Sequence, residues 1–298
     1  MNVTRLGTHP IGTGCAPYFV AELGPNFVIG RDREANVANL VRMIDAAAEA
    51  GVDCVKLQLK SLDGFYLGDD LTRPPHDAAR APFATRGEYV EAREPDAAML
   101  GVVHRRCEAL GIDWTASVWD ASSVELLRKF RRPWVKVASA CVSDLPLLER
   151  VRSLGVPVVL STGMSTLEEV DRAVMMIGQS NAVLAHCTAA YPCDLVDANL
   201  AVMGTLRSRY HVPVGWSSHC TSPSAAGLAA ALGACWIEYH FTLDRDAWGP
   251  DHASSLEPDE LAQAVASARA GFRAVGSGEK RVLEIEEPAR ARLRRVGR

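Results

Sequence analysis

The sequence predicts the α/β fold class, a (β/α)8 TIM barrel folded as a single domain, and three observations predict it. Short apolar runs rich in β-branched residues alternate with longer segments of helical period along the 298-residue chain. Near-continuous apolar strands between amphipathic helices mark a parallel sheet buried on both faces. Eight such units in one chain of this length suit closure into a barrel. A doubly wound open sheet is the structural alternative.

In order, the expected strands are Tyr18–Glu22, Cys54–Leu59, Asp113–Ser117, Trp134–Ala138, Val156–Ser161, Ala182–Cys187, Pro213–Ser217 and Trp236–Tyr239. Helices fit between them at Glu34–Ala50, Asp96–Leu110, Ser122–Arg128, Leu145–Ser153, Thr166–Ile177, Asn199–Tyr210, Ser222–Leu232 and Pro258–Val275. The first shows the period plainly, with Val37, Leu40, Val41, Ile44, Ala47 and Ala48 on one stripe. Two stretches depart from the repeat. Residues 60–94, with Pro74, Pro75 and Pro82, form a polar insertion after the second strand, expected as a loop or lid. Residues 287–298 carry Arg290, Arg292, Arg294, Arg295 and Arg298, a basic tail that reads as a solvated helix end. The expected organisation is a barrel over 1–286 and this tail over 287–298.

Lys and Arg number 32 against 36 Asp and Glu, a formal charge of −4, which recommends neither a nucleic acid nor a membrane as partner. The N-terminus MNVTRLGTHPIG lacks the apolar core of a signal peptide. The nearly apolar stretch from Ala225 to Ile237 is too short to span a bilayer. Eight scattered cysteines form no C-x-x-C pair, so a zinc ribbon is not expected. Reduced thiols in a cytoplasmic protein are the expectation.

Chemistry gathers at the carboxyl ends of the expected strands, the rim where barrel active sites lie. Strand one ends in Glu22, strand two carries Lys56 and Gln58, and strand three ends at Ser117. Lys136 and Ser139 follow, then Ser161, His186, His219, and the Glu238 and His240 of strand eight. Packing alone does not call for so polar a rim. Lys56 and Lys136, with the hydroxyls of Ser117, Ser139 and Ser161, suit a phosphate plus a carboxylate. His219 and His240 follow adjacent strands and can converge on one cation, and two ligands leave positions open for catalysis. For His186, site wall and packing both stay open. No G-x-G-x-x-G or G-x-x-x-x-G-K-[ST] loop supports nucleotide binding, and Ser161 lies outside any G-x-S-x-G.

These residues sit in motifs that run in order through nearly the whole chain. They are VAELGPN (20–26), CVKLQ (54–58), KVAS (136–139), LSTGMSTLEEV (160–170), HCTAAYP (186–192), VGWSSH (214–219), ALGACWIEYHFTLDR (231–245), GPDHASSLEPDEL (249–261) and GSGEK (276–280). In them the chain resembles the sialic acid synthases, the N-acetylneuraminate synthase family. The resemblance implies condensation of phosphoenolpyruvate with a sugar aldehyde such as N-acetylmannosamine, to a 2-keto-3-deoxy sugar acid and phosphate. It implies that Glu22 contacts the sugar and handles the attacking water. Lys56, Gln58, Ser117, Lys136, Ser139 and Ser161 match positions that bind phosphoenolpyruvate. His219 and His240 match the ligands of a divalent metal, usually Mn2+, with Mg2+ or Co2+ as substitutes. Tyr191 and Asp251 match positions that touch the sugar chain. A homodimer is the assembly in view.

The departures concern the sugar. Phe27 stands where the family has His, Ala189 replaces a polar residue before Y-P, and S-D-H reads Ser217-Ser218-His219. The small antifreeze-like domain that follows the barrel in bacterial members is expected to be missing. From this the sequence suggests an altered acceptor, with N-acetylmannosamine a poor one. Arg73, His76 or Arg80 of the insertion are candidate replacement contacts. The alternatives are the same condensation on a different aldose, in a secondary-metabolite or surface-glycan pathway, and a barrel that binds phosphoenolpyruvate without turnover.

Overall fold

The computed structural model describes residues 4–62, 66 and 68–295, so positions 63–65 and 67 of the insertion and 296–298 of the tail lie outside the described residues. Ahead of the barrel, β1 (Thr4–Leu6) and β2 (His9–Ile11) pair as an antiparallel hairpin that the sequence did not announce. The barrel strands are β3 (Tyr18–Glu22), β4 (Cys54–Leu59), β5 (Asp113–Val118) and β6 (Val135–Val137), then β7 (Val158–Ser161), β8 (Ala182–His186), β9 (Val214–Ser218) and β10 (Trp236–His240). All neighbours are parallel and follow chain order. β10 returns to β3, with Trp236 opposite Tyr18 and His240 opposite Glu22, so the sheet is closed and not doubly wound.

Helices follow the strands as expected: α1 (Arg33–Glu49) after β3, then α2 (Gly68–Leu71) and α3 (Arg86–Arg93) inside the insertion, and α4 (Ala97–Leu110) leading to β5. Next come α5 (Ala121–Arg128), α6 (Leu145–Arg152), α7 (Leu167–Ile177), α8 (Val202–Tyr210), α9 (Ala225–Ala231) and α10 (Pro258–Val275). The tail holds α11 (Glu287–Leu293), exposed along its length. The starts are set by acceptors for orphan backbone N–H groups: Asp32, Asp96, Asp120 and Asp144 cap α1, α4, α5 and α6. Thr166 and Glu169 cap α7 reciprocally. No described helix is long and apolar enough to cross a membrane.

Side chains alternate along each strand, so one parity faces the helices and the other the barrel axis. Phe19, Ala21, Val55, Leu57 and Leu160 belong to the outer core, packed with Leu40, Ile44 and Leu100 of the helices. A second core lies within the barrel. Tyr18, Val20, Cys54, Trp134, Val159, Val183 and Trp236 fill its amino-terminal half, and Leu6 and Ile11 of the hairpin join them. Gly215 makes room for this layer: a Cβ there would lie 2.2 Å from the Trp236 carbonyl oxygen. Moving up the same inward lines, the apolar residues give way to Glu22, Lys56, Gln58, Ser117, Lys136 and Glu238.

Candidate active site

That change of character creates a cavity of about 280 Å3 at the carboxyl mouth. Glu22, Lys56, Gln58, Ser117, Lys136 and Ser139 line it, as do Ser161, Tyr191, His219 and His240. Asp251 stands at the rim, its Oδ2 3.6 Å from His240 Nδ1. The structure therefore gathers these residues, each singled out from the sequence, around one space.

Two lysines and two glutamates form a buried chain across it. Glu22 pairs with Lys56 through Oε2 and accepts from Gln58 Nε2 through Oε1 at 3.1 Å. Lys136 donates to both oxygens of Glu238, at 3.0 and 3.2 Å, and Lys56 reaches the same carboxylate at 3.6 Å. Ser217 Oγ donates to Glu238 as well, at 3.0 Å. Burial alone would raise the Glu238 carboxyl, but the Lys136 and Lys56 ammoniums prevail and hold it at about 2. Burial also works to lower Lys56, and Glu22 and Glu238 outweigh it, leaving that ammonium firmly charged. Desolvated charges in this number persist only when paired. Two cations against two anions leave the chain neutral, so an incoming anion finds donors without a large excess of charge.

The hydroxyls are fixed by local turns. A single 3-10 turn after β6, Ser139–Cys141, presents Ser139 Oγ, which accepts the Gly163 N–H at 3.0 Å and lies 3.1 Å from Cys187 Sγ. Ser117 Oγ accepts from Trp119 Nε1 at 3.2 Å. Gly24, at φ +47°, lets the chain turn directly beneath the acids: a Cβ there would lie 3.1 Å from Asp251 Oδ2 and 3.2 Å from both Gln58 Nε2 and Glu22 Oε1.

His219 and His240 face each other with ring centroids 5.4 Å apart, and Tyr191 leans on His219 with centroids 3.9 Å apart and the rings tilted by 32°. His219 Nδ1 lies 2.7 Å from the Thr188 carbonyl oxygen. A carbonyl only accepts, so Nδ1 carries the proton and Nε2 keeps its lone pair. Burial, then the neighbouring His240, lowers His219 to about 4, so the ring is neutral at physiological pH. His240 Nδ1 is buried without a hydrogen-bond partner. A neutral imidazole oriented through one nitrogen, as at His219, fits a divalent cation. Among the described residues no group of three or more His, Cys, Asp and Glu is arranged around a metal position, so a cation here would complete its sphere with water or substrate.

A (β/α)8 barrel with a paired-lysine cavity and two open imidazoles at its carboxyl mouth is the class that fold and site define. The family model for NeuB matches residues 43–280. The chain belongs to the NeuB family, whose members are sialic-acid-synthase-like enzymes. It is similar to N,N'-diacetyllegionaminic acid synthase of Legionella pneumophila, 32% identical over 97% of this chain and 82% of that one. It is also similar to human N-acetylneuraminate-9-phosphate synthase, 33% identical over 96% of this chain and 77% of the relative. Among solved structures, an N-acetylneuraminic acid synthetase from Leptospira borgpetersenii in complex with citrate superposes with a TM-score of 0.81, 28% identity, and coverage of 99% and 98%.

Several expectations need correction. Phe27 does not face the sugar side: it is 1% exposed within the outer core, and its carbonyl accepts from Asn39 Nδ2 on α1 at 3.0 Å. Successive turns after Glu22 (Asn26 N–H to the Leu23 carbonyl, Val28 N–H to the Pro25 carbonyl) carry it outward. Ser218 also sits on the helix-facing parity, its Oγ accepting the Cys220 N–H at 3.1 Å. Of the three departures, Ala189 lines the cavity. For His186 both readings stood open, and the structure takes packing: it is outside the cavity lining and hydrogen-bonded through Nε2 to the Ala198 carbonyl at 2.8 Å. Arg73 pairs with Asp70, and Arg80 pairs with Asp77 and donates to the Asp246 carbonyl, so neither lines the cavity. The His76 carbonyl accepts from Trp248 Nε1 at 3.0 Å, and His76 likewise does not line the cavity. Glu238, noted at the rim but given no role, proves to be the hub of the charge network.

Proposed function

We propose that this chain condenses phosphoenolpyruvate with an N-acetylmannosamine-like aldose, forming a 2-keto-3-deoxy sugar acid and releasing phosphate. The observation that carries this reading is the coexistence, in one cavity, of two buried ammoniums ringed by hydroxyls with two imidazoles that face each other. The first set suits a small molecule bearing both phosphate and carboxylate, and the second a cation beside an aldehyde. The relatives named above are sugar-acid synthases, and the Leptospira protein holds citrate, a polycarboxylate.

In this reading Lys56 and Lys136 release part of their hold on Glu22 and Glu238 to meet the substrate's anionic groups. Ser117, Ser139 and Ser161 donate to its oxygens. C3 of phosphoenolpyruvate adds to the aldehyde carbon, whose oxygen takes a proton, and C2 is left electron-poor. Water adds to C2 with Glu22 accepting its proton, and the tetrahedral centre expels phosphate by C–O cleavage. Nε2 of His219 and the His240 imidazole would hold a divalent cation, Mn2+ in this proposal, which when bound polarises the acceptor's aldehyde. Tyr191 and Asp251 border the acceptor. The acceptor's identity rests on fewer residues than the phosphoenolpyruvate half, because Phe27 and Ser218 point elsewhere.

The test is phosphate release on mixing protein, phosphoenolpyruvate, Mn2+ and a panel of aldoses. Release equimolar with sugar-acid product, and dependent on both substrates, is the expected result. Tight phosphoenolpyruvate binding without release for any aldose would establish the non-catalytic barrel instead.

A further inference from the structure

Three successive strand ends meet at one oxygen. Ser139 follows β6, Gly163 follows β7 and Cys187 follows β8. Ser139 Oγ accepts the Gly163 N–H at 3.0 Å and lies 3.1 Å from Cys187 Sγ. The turn after β7 holds Gly163 in place: the Thr162 N–H donates to the Ala185 carbonyl at 3.0 Å, and Ser165 Oγ donates to the Gly163 carbonyl at 3.1 Å. No side chain fits at 163, since a Cβ there would lie 2.6 Å from Cys187 Sγ and 2.9 Å from Ser139 Oγ. Ser139 and Cys187 line the cavity with Lys136, and the thiol is near enough to act on that ammonium electrostatically.

A serine oxygen accepts twice and donates once. Gly163 takes one of the two lone pairs. Among the described residues, Ser139 Oγ is the one hydrogen-bond partner of the Cys187 thiol, which is 6% exposed. If Ser139 donated to the sulfur, the thiol proton would have no acceptor there, and sulfur is a weak acceptor itself. With the thiol donating, the second lone pair is filled and both protons are used. The serine O–H then has one direction left, into the cavity.

We propose that Gly163 and Cys187 are positioning residues for phosphoenolpyruvate: they fill both lone pairs of the Ser139 oxygen, so that its O–H faces the cavity and donates to the anionic group that Lys136 meets. The inference rests on the condensation reading and deepens it, adding two residues that act through a third. Its benefit is preorganisation, because a hydroxyl already aimed at the anion loses no freedom when the anion arrives.

Calorimetric titration of phosphoenolpyruvate into the protein, without sugar, tests this in a double-mutant cycle of Cys187→Ala and Ser139→Ala. Cys187→Ala is expected to raise the Kd about 3- to 10-fold, the scale of one neutral hydrogen bond. Cys187→Ser keeps a donor at that place and should recover most of the loss. With Ser139→Ala already present, Cys187→Ala should add less than about 2-fold, because the hydroxyl it orients is gone. In two-substrate kinetics the loss should fall on the KM for phosphoenolpyruvate, with the sugar KM and kcat unchanged. Additive losses in the cycle, or a serine variant as weak as the alanine one, overturn the inference and leave the condensation reading standing. A wild-type chain that binds no phosphoenolpyruvate overturns both. Binding without phosphate release for any aldose overturns the condensation reading alone, and the calorimetric cycle still decides the positioning.

Discussion

His219 shows how one hydrogen bond decides what a side chain can do. With Nδ1 donating to the Thr188 carbonyl, the ring offers Nε2 and nothing else. His219→Ala should weaken Mn2+ binding, followed by electron paramagnetic resonance, about 10- to 100-fold. The rate of phosphate release should fall at least about 100-fold. Unchanged Mn2+ affinity would remove the metal assignment. Lys60 makes a different statement, about stability. Its folded value of about 7 lies below the usual lysine range near 10.4, so between those pH values the unfolded chain holds a proton that the folded chain has released. Stability therefore rises with pH across that window, and the cost is fully present at and below pH 7. Glu94 works oppositely: raised to about 7, it makes the folded chain the better proton binder from about pH 4.5 upward, so stability falls towards pH 7. The two together place a trough near neutrality. Lys60→Met should raise Tm on the order of a few °C at pH 7, and by less at pH 10. An equal effect at both would show that Lys60 titrates normally.

The elements divide by how much of their burial is visible locally. Strands buried on both faces read as apolar runs, so all eight barrel strands were legible to within a few residues, Tyr18–Glu22 and Cys54–Leu59 without error. The β1–β2 hairpin was not, because Leu6 and Ile11 are its buried apolar anchors, too few to form a pattern. In α3, Tyr89 and Val90 are its buried residues, and the segment read as loop. Its partner is remote: Trp248 packs against Phe83 and Tyr89 and donates to the His76 carbonyl at 3.0 Å. The site was legible wherever strand parity carried it, from Glu22 and Lys56 to His240. What parity cannot show is pairing across the barrel, and so the hub role of Glu238 was missed. Nor can it show a turn, which is why Phe27 was misplaced. Gly215 tests the packing of β9 on β10 directly. Gly215→Ala forces a methyl to 2.2 Å from a backbone oxygen that cannot yield. Overpacking typically costs 1–3 kcal/mol, and a backbone clash should exceed that, about 4 kcal/mol or failure to fold. Urea unfolding measures it, and a loss under about 1 kcal/mol would contradict the close contact.

For the molecule as a whole, closure is what makes the chemistry. Lys136 on β6 meets Glu238 on β10 because the sheet curls until they face each other, and the hairpin with the apolar lower layer fills the barrel beneath them. The central claim is a division of labour within one cavity, lysines for phosphoenolpyruvate and imidazoles for the acceptor. Two-substrate steady-state kinetics of Lys136→Ala test it most directly. Losing a charged hydrogen bond to a bound anion costs about 2–4 kcal/mol, on the order of 30- to 1000-fold. The account predicts that this loss appears in the KM for phosphoenolpyruvate, with the KM for the sugar little changed. A shift concentrated in the sugar KM would contradict it.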